Sequence, residues 1–160
     1  MKILQMGLPT SSIKSHIVVV ALFLSSTLFA PSASCQDLVF KGRETGFPEV
    51  EYSVTAADRD EYVSELAIPR FKDRSATDSR WMMCVYTNIA MVRKQFYWTV
   101  AYTKHDGDKV LLGFPRSPDP AKQAMLGPEF DARREFKQIM QIDKMKIFCE
   151  KSGYIFSYLK

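Results

Sequence analysis

His105, Asp106 and Asp108 are the densest group of chemistry-bearing side chains in this sequence: an imidazole and two carboxylates within four residues, around Gly107. An imidazole titrates near neutral pH, so it can pass a proton to or from a reacting group. A nearby carboxylate can orient it. Read that way, the chain is a small secreted hydrolase or nuclease centred on His105. The Asp-x-Asp step also matches the opening of a calcium loop. The continuation lacks oxygen ligands, because Leu112 and Phe114 stand where they are needed. The ordinary role of such a trio is a solvated turn, since Asp-Gly is a strong hairpin signal.

Other chemistries are thinner. No Gly-x-Ser-x-Gly elbow, Gly-rich phosphate loop or dinucleotide fingerprint occurs. Glu49, Glu51, Asp58, Asp60 and Glu61 offer carboxylate pairs for glycoside hydrolysis, but a solvated helix start explains the same cluster. Arg93, Lys94, Lys104 and Lys109, with Phe96, Tyr97, Trp98 and Tyr102, have the composition of a base-stacking surface. Strand alternation turns half of those aromatics inward, and the net charge is modest, so the nucleic-acid signal is not strong. One histidine and two distant cysteines beyond residue 35 make no zinc site, so neither metal nor cofactor is expected.

The compartment decides which chemistry the cysteines can use. Lys2 and Lys14 precede an apolar run from Ile17 to Ala30, followed by Pro31 and the small residues Ser32, Ala33 and Ser34. That order predicts a signal peptide, residues 1–34, cut near Ser34 and Cys35. The run is shorter than the ~20 residues a spanning helix needs, and no later stretch is apolar enough, so no transmembrane segment is expected after removal of the signal. A lipid anchor on Cys35 would call for a Leu-like residue and a Gly or Ala before it, where Ser32 and Ser34 stand.

Losing the leader takes the net charge from +4 to +2, because Lys2 and Lys14 go with it. What remains, residues 35–160, suffices for one domain, secreted or periplasmic. In an oxidising compartment Cys84 and Cys149 are the natural pair.

Several elements must position these groups. Asp37–Phe40 is predicted as a short edge strand, and Glu49–Val54 as a strand or extended lead-in. Thr55 and Asp58 have capping-box spacing and predict a helix carrying Tyr62, Val63 and Leu66, stopped by Pro69. Arg70 to Arg80 is a polar link. A central buried helix runs from Ser79 to Arg93, capped by Asp78, with Met82, Val85, Tyr86, Ile89 and Val92 at helical steps.

Gln95–Thr103 and Lys109–Phe114 form a hairpin turning through His105–Asp108. A short helix is expected at Pro120–Leu126 and a charged amphipathic one at Glu129–Gln141. The tail, Met145–Leu159, reads as a second hairpin turning at Lys151–Gly153, or as a continuation of the preceding helix to a cap at Gly153. The fold class is α+β: a small domain with helices on one face of an antiparallel sheet.

The leading functional expectation is an exported, non-catalytic protein that binds another protein. A periplasmic inhibitor or immunity protein would have this size, signal and cysteine count. The expected surface is the outward face of the hairpin, with Tyr97, Thr99, Tyr102 and Lys104. A secreted effector or surface-associated structural protein is the other alternative beside the His105 hydrolase.

Overall fold

Val54 and Ala56 point one way along residues 53–58 and Thr55 and Ala57 the other, which is the two-residue period of a strand. Such segments assemble one antiparallel sheet in the computed structural model, which describes residues 37–102, 107–119, 126–130 and 138–157. The strands are β1 Leu38–Lys41, β2 Ser53–Asp58, β3 Val63–Ala67, β4 Tyr97–Tyr102, β5 Lys109–Gly113 and β6 Met140–Gln141. Their order is β1-β2-β3-β5-β4-β6, each pair antiparallel. Two helices join them, α1 Ala76–Val92 and α2 Ile142–Lys151. The fold class is α+β. The expected signal peptide and Cys35, residues 103–106 with most of the expected hairpin turn, and residues 120–125 lie outside the described residues.

β3, α1 and β4 form a crossover unit. Both strands run antiparallel to β5 and therefore parallel to each other, with β5 between them. The register places Ala67 opposite Lys109 and Val110 opposite Tyr102. One end of the sheet thus gathers the close of β3, the close of β4, the start of β5 and the start of α1.

The helix expected from Thr55 is a hairpin instead. Asp58 and Asp60 serve a turn rather than a helix start: Asp60 Oδ1 accepts the Tyr62 N–H at 2.7 Å, and the Arg59 and Asp60 N–H groups donate to the Val63 carbonyl. Asp side chains favour both caps and turns, and pairing of β2 with β1 and β3 on both sides decides for the turn.

Helix α1 begins one turn earlier than expected. Ser75 is its cap, its Oγ accepting the Asp78 N–H at 3.1 Å while Asp78 Oδ2 accepts the Ser75 N–H at 2.8 Å. The tail forms α2 and not a second hairpin. Ile142, Met145 and Cys149 share its inner side, and Gly153 follows with φ 86°, a left-handed conformation that suits glycine after a helix. Of the helix expected at Glu129–Gln141, Pro128–Phe130 is a 3-10 turn and Met140–Gln141 is β6, while residues 131–137 lie outside the described residues.

The main core lies between the sheet and α1. Val54, Ala56, Leu66, Val110, Leu112 and Trp98 from the strands meet Trp81, Met82, Val85, Tyr86 and Ile89 from the helix. Helix α1 is buried on nearly all sides, because the sheet covers one side and α2 another. Cys84 and Cys149 form a disulfide, Cα–Cα 5.5 Å, that ties the two helices together.

Both indoles find threonine hydroxyls. Trp81 Nε1 donates to Thr45 Oγ1 at 2.8 Å, and Trp98 Nε1 donates to Thr87 Oγ1 at 3.1 Å. The opposite sheet face is covered too. Val63, Ala101 and Leu111 pack there under Leu126 and Phe130.

Candidate functional site

The notable surface lies at the sheet end that gathers the start of α1. After Ile68 the chain leaves β3 through Pro69 and enters a 3-10 turn, Phe71–Asp73. Asp108, at the start of β5, fastens that turn. Its carbonyl accepts the Ile68 N–H at 2.7 Å, and its carboxylate accepts the Phe71 N–H at 3.3 Å. Phe71 is thereby held 5.4 Å, ring centre to ring centre, from Tyr102 at the end of β4. Phe71 is buried, whereas Tyr102 is 53% exposed.

Arg74 edges this aromatic pair, and Arg70 and Lys72 flank Phe71 along the chain. The Arg74 guanidinium lies 3.8 Å over the Phe71 ring and donates from Nη1 to the Phe71 carbonyl at 2.7 Å. Arg70 adopts φ 59°. Its carbonyl accepts the Tyr52 hydroxyl at 3.1 Å, and its guanidinium stands 5.6 Å over the Tyr52 ring. Lys72 reaches across to Gly107, where an added Cβ would come within 2.8 Å of its Cε.

Beneath them lies Tyr86. Burial pushes its phenol well above the ordinary tyrosine value, Tyr102 adds to that, and Arg74 opposes it. Planar guanidinium groups stacked on aromatic rings suit recognition of carboxylates, carbonyls and apolar side chains.

The four residues expected on one outward face do not share a face. Tyr97 and Thr99 are an odd number of residues from Tyr102, so strand alternation sends them to the other side of the sheet. Thr99 is fully buried opposite Gly113, and its hydroxyl has no hydrogen-bond partner among the described residues. Tyr97 lines a cavity of about 330 Å³ with Pro118, Ile139, Met140, Lys144 and Met145. Tyr102 alone stands on the exposed aromatic surface, and Lys104 lies outside the described residues.

His105 and Asp106 lie outside the described residues. Asp108 is exposed, with its carboxylate on the Phe71 N–H.

The base-stacking set is dispersed. Trp98 is buried, and Arg93 is largely buried at the far end of α1, 3.4 Å from Asp58. Lys109 pairs with Glu65 at 3.0 Å. Phe96 is 78% exposed but sits before β4, at that far end. Three of the acidic set, Asp58, Asp60 and Glu61, are engaged locally. Asp58 accepts from Ser64 and pairs with Arg93, Asp60 closes its turn, and Glu61 lies 3.6 Å from Arg116. Among the described residues no three His, Cys, Asp or Glu side chains converge, and no helix is long and apolar enough to cross a membrane.

Sequence reasoning passed over Arg70, Phe71 and Arg74, because Arg70–Arg80 reads as a polar link, and Tyr52, which stands in the extended Glu49–Val54 segment. The available signal was a cation at every second position around Phe71. Compared with known proteins, the chain matches no family model, no curated protein and no solved structure.

Proposed function

We propose that this chain is an exported, non-catalytic binding protein that acts on another protein, in the manner of an inhibitor or immunity protein, through the surface around Tyr102. The observation that carries this reading is the Arg74 guanidinium seated 3.8 Å over Phe71 beside the exposed Tyr102. Tyrosine and arginine dominate the energetics of protein interfaces, and a ring and a guanidinium already held in place lose little conformational freedom on docking. The leader and the buried Cys84–Cys149 bond support maturation outside the reducing cytosol, hence a secreted or periplasmic protein.

The test is affinity capture with cross-linking in the native compartment, using the wild type and the Tyr102→Ala and Arg74→Ala variants. The wild type should retain a stoichiometric protein partner, and both variants should lose it while still melting cooperatively. Capture of no protein, together with hydrolysis of a generic peptide, ester or nucleic-acid substrate, would overturn the reading.

A further inference from the structure

We infer that the Arg70–Arg74 turn is a docking site for an acidic segment of the partner, a short run of Asp and Glu side chains. This deepens the protein-binding reading and rests on it.

Arg70, Lys72 and Arg74 stand at alternate positions of one turn. Among the described residues none of them has a carboxylate within ion-pairing distance, whereas Lys41, Arg59, Arg93, Lys109, Arg116 and Lys146 each do. The neighbouring acids are mostly engaged: Asp108 accepts the Phe71 N–H, and Asp78 closes the cap of α1. Asp73 is the one acid interleaved with the three cations.

Both guanidinium groups are pre-positioned, Arg70 over Tyr52 and Arg74 over Phe71. Arg70 holds a left-handed backbone, uncommon for a residue with a side chain, and the Tyr52 hydroxyl fastens its carbonyl there. Forked guanidinium donors fixed in this way match carboxylates bidentately.

The footprint decides between anionic partners. A 3-10 turn rises about 2 Å per residue, so Arg70 to Arg74 spans only about 8 Å of backbone. That suits a few acidic side chains. A nucleic-acid backbone would need the basic stripe to continue, and Arg93 and Lys109 are already in ion pairs.

The experiment uses the full chain with its disulfide intact. Its probes are a short Glu-rich peptide, the same peptide with Gln for every Glu, and an oligothymidylate of equal charge, all read by NMR titration. The Glu peptide should bind, shift the amide signals of residues 70–74 and Tyr102, and weaken as salt rises. The Gln peptide should not bind. Double charge reversal, Arg70→Glu with Lys72→Glu, should weaken binding about tenfold or more, and Lys144→Glu on α2 should leave it unchanged. The neutral pair Arg70→Gln with Lys72→Gln guards against misfolding and should weaken binding in the same direction.

Equal loss from Lys144→Glu, tighter binding of the oligothymidylate, or no binding of the Glu peptide would overturn the acidic-segment site. Partner capture that survives the double charge reversal would overturn this site and leave the protein-binding reading standing. Absence of any captured partner for the wild type would remove both.

Discussion

Asn88 Nδ2 donates to the Tyr154 hydroxyl at 3.2 Å in buried space between α1 and the C-terminal tail. The same amide donates to Ser157 Oγ at 3.0 Å. Together with the Ile155 N–H on the Thr45 carbonyl, this bond fastens the tail to the body of the domain. Tyr154→Phe removes the acceptor but leaves Asn88 its second partner. It should cost about 1–2 kcal/mol, measured as the shift of the urea midpoint at constant m. Asn88→Ala loses both bonds and should cost more.

Alkaline pH should destabilise the fold. Burial raises the phenols of both Tyr86 and Tyr154 above the ordinary value of about 10. The folded state then keeps protons that the unfolded chain releases. Stability should be unaffected by these groups below about pH 10 and should fall above it, by up to about 1.4 kcal/mol per pH unit for each tyrosine. Urea unfolding at stepped alkaline pH checks this. Replacing both residues with Phe should remove most of the slope.

The disulfide should carry a large share of stability. Its ends are 65 residues apart in sequence, for which the loop-entropy account gives about 4 kcal/mol. Cys84→Ala with Cys149→Ala should lower stability by roughly 2–5 kcal/mol. The loss should match that produced by reductant in the wild type, read as paired urea midpoints.

Gly113 is required by the face of the sheet away from α1. A Cβ there would come within 2.7 Å of Phe130 Cε1 and 2.8 Å of Leu126 Cδ1. Gly113→Ala should cost about 1–3 kcal/mol through overpacking. In the Gly113→Ala background, Phe130→Leu should recover part of that loss, measured by the same denaturation.

Some of this architecture was legible from residues alone, and the reasons are local. The hairpin of β4 and β5 announces itself through aromatic and β-branched runs around Asp-Gly. Helix α1 does so through its length and helical spacing, and only its capping residue was misplaced, by one turn. The Cys84–Cys149 bond followed from counting thiols.

The miss at β2 and β3 is equally local in origin. Thr55 and Asp58 satisfy a helix cap and a strand-turn pattern alike, and only the neighbouring strands β1 and β5 break the tie. The tail stayed open between a hairpin and a helix reaching Gly153, because its residues alternate as a strand would, and the fold decides for α2, with Cys149 anchored to Cys84.

Taken alone, the order of residues set the α+β class, the cysteine pair and the hairpin. Each of these depends on short-range spacing or on composition. The docking surface was decided only by the tertiary fold. Tyr52, Phe71, Arg74, Tyr102 and Asp108 come from four separate stretches, and the crossover through α1 delivers them to the same end of the sheet. No local pattern encodes that meeting, because it depends on which strands become neighbours, and long-range burial sets that choice.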